Sequence, residues 1–168
     1  MRRLALAAML AVLAVACGHS ASFDGGVLRK NGVAVRFDPV PAGWSRIEVE
    51  GADAAYRDEA HQGSFLFDVR CHQRDGDAPL ASLTAHLIMG TTARQVRLEE
   101  TVPFDGREAR HTRMSAKLDG VPLEYDLYVM KKDDCVYDLV YVAPAARFDG
   151  GAAEFERFAA GMRGSSAP

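Results

Sequence analysis

Few side chains in this 168-residue sequence have the type and spacing to act on a substrate or hold an ion. The five histidines are His19, His61, His72, His86 and His111. None is spaced as His-x-x-x-His or His-Glu-x-x-His, the arrangement that sets two imidazoles on one helix face around zinc, so a zinc hydrolase has no local support. They read as solvated or structurally satisfied histidines. There is no Gly-x-Ser-x-Gly elbow, glycine-rich phosphate loop or Cys-x-x-Cys. Carboxylates gather at Glu48 and Glu50, Asp58-Glu59, Glu99-Glu100 and Asp133-Asp134. Neighbours on a strand point to opposite faces, so these pairs do not build an acid–base dyad. Solvated charge is the preferred reading, with a weak calcium site as the alternative. The one basic cluster, Arg107 to Arg113 (REARHTR), makes Arg107, Arg110 and Arg113 a candidate anion-binding patch, joined by Arg94 and Arg97. Cross-strand pairing with Glu99 and Glu100 is the blander and preferred alternative. The expectation is therefore no catalytic set, no metal and no cofactor.

The cysteines, Cys17, Cys71 and Cys135, divide by position. Arg2 and Arg3 precede an uncharged apolar run, Leu4 to Ala16. That run is too short to span a bilayer core, which takes about 20 residues, but it suits a signal peptide. It ends in Ala14-Val15-Ala16-Cys17, which resembles the lipobox of bacterial lipoproteins, although Ala14 stands where the box prefers Leu. The resemblance implies that residues 1–16 are cleaved and that Cys17 carries the acyl chains, two or three of which anchor stably where one does not. Gly18 in place of Asp after the cysteine tilts the expected address to the outer membrane, facing the periplasm. With Cys17 lipidated, Cys71 and Cys135 remain in an oxidising compartment, where an even remainder invites a disulfide. The alternatives are two separate buried thiols or a metal pair helped by His72. Cysteine–histidine catalysis would need one of these thiols free beside His111.

Composition narrows the partners. Hydrophobic residues make up 48% and charged residues 26%, ordinary for one globular domain rather than a disordered chain. The formal charge is −3; losing Arg2 and Arg3 leaves 18 basic against 23 acidic residues, or −5. That argues against nucleic acid, whose binding draws on Lys and Arg neutralising phosphates, and against a polybasic grip on anionic lipid. Membrane attachment must come from the lipid itself.

The elements that position these residues follow from period and turn chemistry. Gly18 to Gly26 reads as a flexible tether (17–26 with the lipidated cysteine), then a domain over 27–163 and a disordered tail, 164–168. Asn31-Gly32 between Val27–Lys30 and Val33–Phe37 is a hairpin signal. Trp44–Val49, a short run at Ala54–Arg57, and Ser64–Cys71 alternate as strands, the last with Phe65, Phe67, Val69 and Cys71 on one face. The period then changes: Asp77 as N-cap and Pro79 in the first turn open a helix with Leu80, Leu83 and Leu87, ending by Gly90. Residues 94–101 and 107–118, then Leu123 to Val129 and Cys135–Val142, form a four-stranded antiparallel meander joined at Pro103–Gly106, Asp119-Gly120 and Lys132–Asp134. Glu124, Asp126 and Asp138 suggest that part of one sheet face is wet. Asp149 caps a closing helix with Phe155, Phe158 and Met162 on one stripe. Phe-Asp-Gly recurs from Phe23, Phe104 and Phe148 at unequal intervals, as turns or caps rather than repeats. The predicted class is α+β, an antiparallel sheet packed with two helices, which share one face or cover opposite faces.

The Pro-x-x-Trp entry (Pro41 to Trp44), central helix, meander and final Phe-rich helix after YDLVYVAP resemble the PsbP-like fold, over about 27–163. The group takes its name from an extrinsic subunit of the photosynthetic oxygen-evolving complex and includes small bacterial lipoproteins. The resemblance implies a PsbP-like α/β sandwich and no catalytic motif. The functional expectation is a non-enzymatic, membrane-tethered envelope protein that binds or supports another envelope component. The alternatives are a small-molecule or lipid carrier with a cleft between sheet and helix, or an enzyme whose site assembles only in three dimensions. An apolar cavity would favour the carrier, an exposed apolar patch the partner-binding protein, and a cleft holding His111 beside a free thiol the enzyme.

Overall fold

The computed structural model describes residues 21–30, 32–72 and 77–166; the apolar leader, Cys17 and His19 lie outside the described residues. The elements are β1 (Ser22–Asp24), β2 (Val27–Lys30), β3 (Val33–Arg36), β4 (Trp44–Ile47), β5 (Ala54–Asp58), β6 (Gly63–Cys71), α1 (Leu80–Leu87), β7 (Thr91–Phe104), β8 (Arg107–Leu118), β9 (Val121–Lys132), β10 (Cys135–Ala143), α2 (Phe148–Ala160) and β11 (Arg163–Ser166). Four hairpins turn through two residues that both take positive φ: Gly25-Gly26, Asp105-Gly106, Asp119-Gly120 and Asp133-Asp134. This is the type I′ geometry whose twist matches that of the flanking strands, and Gly or Asp is the residue that accepts it.

The expected meander supplies four strands of a seven-stranded sheet ordered β4-β5-β6-β10-β9-β8-β7. The other sheet has four strands, β1-β2-β3-β11. It and α2 cover one face of the large sheet, while α1 lies on the opposite face, so the two helices do not share a face. Period-two alternation sorts the strands between these layers. Phe65, Phe67 and Val69 of β6, with Tyr137, Leu139 and Tyr141 of β10, meet Leu28, Val35, Phe37, Phe155, Phe158 and Met162 in the main core. Leu83 of α1 packs on Val129 and Val136 from the other side.

Both ends of the domain differ from expectation. Residues 22–26 are not tether: Phe23 of β1 packs on Phe37 and Tyr56, and the Arg46 guanidinium lies 4.9 Å over its ring. Residues 164–166 are not tail: β11 pairs with β3. Gly164 donates its N–H to the Asp105 carboxylate at 2.9 Å, and its carbonyl accepts from Lys132 Nζ at 2.7 Å. A side chain at Gly164 would press on the Tyr137 ring, so the chain's last strand docks where a glycine lets backbone meet aromatic.

The wet face is also corrected. Glu124, Asp126 and Asp138 are all buried. Glu124 and Asp126 lie on the α2 side and Asp138 on the α1 side, as the β9–β10 register requires. Each faces a cation: Arg97 with Glu124, Arg113 with Asp126 and Arg70 with Asp138. At the helices, Pro79 rather than Asp77 sits at the start of α1, and α2 opens at Phe148 with Asp149 inside its first turn, where its charge favours the helix dipole.

Candidate functional site

Two sets of polar residues lie beneath α2. The first belongs to β8 and β9. Cross-strand register places His111 opposite Tyr128 and Arg113 opposite Asp126. The imidazole stacks on the Tyr128 ring, centroids 4.3 Å apart. His111 Nε2 is 2.7 Å from Asp126 Oδ1, and Nδ1 is 3.2 Å from Glu100 on β7. Arg113 Nε donates to Asp126 Oδ2 at 2.9 Å, and its Nη2 donates to Glu156 of α2. Burial on its own pushes the His111 pKa down, but the hydrogen bond and charge of Asp126, joined by Glu100, outweigh it and hold the pKa above the ordinary value. The Arg113 pKa is likewise raised: burial opposes, and Asp126 and Glu156 prevail. The set can hold charge in a fixed geometry. Both ring nitrogens face carboxylates.

The second set lies where the β5–β6 turn meets α2. His61 donates its N–H to Asp58 Oδ1 at 3.2 Å, and its Nδ1 is 2.8 Å from Oδ2. The Tyr141 hydroxyl donates to the same Oδ2 at 2.9 Å. Burial pushes the Asp58 carboxyl upward, but hydrogen bonds from Tyr141 and His61 hold it below the usual range. The Tyr141 pKa is raised by burial and then by Asp58. Glu154 of α2 completes a group in which Asp58, His61 and Glu154 each offer an atom within 4.8 Å of the others. Sequence reasoning missed this group: Asp58 and His61 look like an ordinary turn, and no local signal ties them to a helix that begins at Phe148.

The candidate anion patch is internally paired. Arg110 meets Glu99, as the blander reading had it, and Arg113 meets Asp126 and Glu156. Arg107 is 3.9 Å from Asp133, and Arg97 is 2.8 Å from Glu124. Arg94 donates to the Ile88 carbonyl and to Thr91 Oγ1. These guanidinium groups are therefore set against carboxylates and, for Arg94, against the carbonyl at the C-terminal end of α1, and the patch presents no row of uncompensated cations. Cys71 and Cys135 sit directly opposite each other on β6 and β10, their Cα atoms 4.0 Å apart, and are joined by a disulfide. Neither thiol is therefore free to serve as a nucleophile beside His111. His86 is exposed on α1.

On the opposite side of the large sheet the surface is apolar. The described exposed large hydrophobics are Met89 (63%), Val96 (54%), Leu118 (43%) and Val121 (55%). Register gathers them: Val96 pairs with Met114, Leu118 with Val121, and Thr91, two residues after Met89, with Leu118. They border the buried apolar cluster of Met114, Ala116 and Tyr125, on which Leu87 and Ile88 at the end of α1 pack, and lie outside its cover. Between α1 and the sheet lies a cavity of about 220 Å³ lined by Leu66, Leu87, Val140 and Asp138. An open groove of about 710 Å³ is bordered by polar and apolar groups, including Leu80, Pro103, Arg107, Glu108 and Lys131. Among the described residues no helix is long and apolar enough to cross a membrane.

No protein-family model matches the chain, and no curated protein matches it. Solved structures do. Cyanobacterial PsbP (CyanoP) from Synechocystis sp. PCC 6803 superposes with a TM-score of 0.57 at 15% identity, over 79% of this chain and 86% of that one. LpqN, described as involved in cell envelope biogenesis of Mycobacterium tuberculosis, gives 0.58 at 13% identity, over 80% and 86%. The Ran-binding protein Mog1p of Saccharomyces cerevisiae gives 0.51 at 13% identity, over 79% and 89%. At such identities the likeness speaks to architecture and not to activity. The chain is an α+β domain with a PsbP-like fold.

Proposed function

We propose that this chain is a lipid-anchored protein of the cell envelope, held through Cys17 at the outer membrane facing the periplasm, whose domain binds or supports another envelope protein without catalysing a reaction. The observation that carries this reading is the apolar surface of Met89, Val96, Leu118 and Val121. Clustered exposed hydrophobics on a domain otherwise rich in charge are the usual mark of a partner surface. The likeness to LpqN, itself tied to envelope biogenesis, supports the same address. The carrier alternative has less behind it: the cavity between helix and sheet, at about 220 Å³, is below the about 300–1,000 Å³ of ordinary ligand pockets, and the groove of about 710 Å³ is open and bordered by Arg107, Glu108 and Lys131 rather than by a mainly apolar lining. The enzyme alternative loses its thiol to the disulfide.

The test is photocrosslinking of the acylated protein in its own membrane, with the probe placed in turn at positions 89, 96, 118 and 121 and, as a control, at the exposed Glu59. A reproducible protein adduct from the four positions and not from the control is expected. Adducts only to lipid, or none, would overturn the partner reading. Separately, Cys17→Ser should abolish acylation and release the protein; unchanged membrane retention and lipid labelling would remove the anchor.

A further inference from the structure

The geometry points to a divalent transition-metal site, suited to Zn²⁺, formed by Asp58, His61 and Glu154 where the β5–β6 turn meets α2. It is independent of the apolar surface on the other side of the sheet. Asp58 closes β5 and pairs with Gly63, so the intervening turn folds His61 back over the end of its own strand. Glu154 descends from α2, and one donor atom from each residue lies within 4.8 Å of the other two. Zinc takes nitrogen and oxygen donors at about 2.0–2.2 Å, which in a tetrahedron puts them roughly 3.3–3.6 Å apart. An ion would take the place of the proton between His61 Nδ1 and Asp58 Oδ2, now 2.8 Å apart, and draw Glu154 in from within 4.8 Å. An imidazole beside two carboxylates favours zinc and its neighbours over calcium or magnesium, which prefer oxygen throughout. His61 and Glu154 are only partly buried, which leaves the fourth position to solvent.

A second group of the same composition shows what distinguishes this one. His111, Asp126 and Glu156 also converge, but there Arg113 bonds both carboxylates and supplies the positive charge. Among the described residues no lysine or arginine bridges Asp58 and Glu154; Arg57 pairs with Glu59. The two carboxylates and one imidazole thus lack the built-in cation that their counterparts have. Space is reserved as well. A Cβ at Gly150 would stand 2.6 Å from His61 Nε2, and one at Gly151 would overlap the Tyr141 hydroxyl and stand 2.9 Å from Asp58 Oδ2. Two successive glycines let the helix pass while the ligand atoms stay clear. The Tyr141 hydroxyl fixes the Asp58 carboxylate from behind, as an outer-shell partner does for a metal ligand.

The full chain, stripped with chelator, is titrated with Zn²⁺ by calorimetry and with Co²⁺ by visible absorption. One equivalent should bind, with the absorption of tetrahedral cobalt. Because Asp58 is also tied into the core, the variants that carry the test are Glu154→Gln and His61→Ala, each expected to weaken binding at least about tenfold, with Glu156→Gln changing it less than about twofold. No saturable binding in the native chain, or binding that survives Glu154→Gln undiminished, would overturn the assignment.

Discussion

Replacing His111 by Phe isolates one buried charge. The substitution keeps a flat ring against Tyr128, where the imidazole now stacks at 4.3 Å and 3° between planes, and removes both ring nitrogens. Asp126, 0% exposed, loses its 2.7 Å partner and keeps only Arg113. A hydrogen bond to a charged group is worth about 1.5–3 kcal/mol. The contact with Glu100, whose carboxylate is about half exposed, adds well under about 1 kcal/mol. Because Arg113 remains, the loss should fall at about 2–3 kcal/mol rather than the larger figure for a wholly orphaned charge. The pH dependence has a fixed sign. The folded pKa of His111 lies above the unfolded value, so its contribution is complete below about pH 6.5 and is lost as pH rises through the folded pKa. Urea melts of native and variant chains from pH 5.5 to pH 9, with the disulfide intact, give the difference in stability directly. It should be greatest at the acid end and shrink as pH rises, with little change in the dependence on urea. A difference below about 1 kcal/mol at pH 6, or one that stays constant or grows towards pH 9, would refute the assignment of a charged His111–Asp126 pair.

Three further perturbations probe the frame around it. Replacing Cys71 and Cys135 together by Ala should cost about 4 kcal/mol in the chain-entropy account, for a separation of 64 residues; equal melts of the bridged and unbridged chains would contradict it. Gly151→Ala, which would elsewhere gain about 1 kcal/mol of helix propensity, should instead lose roughly 2–4 kcal/mol, because its Cβ overlaps the Tyr141 hydroxyl and breaks the bond to Asp58; a neutral or stabilising result on thermal melting removes the close approach. Asp105→Asn keeps a residue tolerant of the turn's positive φ but weakens the acceptor for Lys132 and the Gly164 N–H, so it should cost about 1–2 kcal/mol. Hydrogen exchange at Gly164 should speed up selectively, and unchanged protection there would mean that β11 is held by other contacts.

How much of this was legible in the sequence depended on whether the deciding interaction was local. β8 runs from Arg107 to Leu118, as expected, because a Phe-Asp-Gly turn precedes it and Asp119-Gly120 follows it. Phe65, Phe67, Val69 and Cys71 share a buried face because alternation survives in any sheet. Asp126 and Glu124 look solvated because polar residues usually are; their arginine partners come from β8 and, one strand further, from β7, whose register the pattern does not specify. β1 and β11 were missed for a related reason. Short glycine- and serine-rich stretches have little propensity of their own, and what orders them is the Phe37 and Tyr56 rings at one end and the Asp105–Lys132 pair at the other.

The polar residues under α2 also explain why the two sides of the large sheet differ. On the α2 side, Glu156 reaches Arg113 on β8, Glu154 lies beside Asp58 and His61, and Phe155 between them enters the core. A helix held by the Glu156–Arg113 pair on one flank and by an aromatic at its centre has one seat, because sliding by a single residue would part Glu156 from Arg113 and lodge another residue in the place of Phe155. On the α1 side, eight helical residues place Leu83 against Val129 and Val136 and stop, leaving the sheet beyond Met114 and Tyr125 bordered by the exposed apolar side chains. Apolar area left in water at about 25 cal/mol per Å² is a standing cost that a partner would remove. The α2 side is thus closed by the helix and the small sheet, and the apolar side chains left exposed on the α1 side are where binding would gain most.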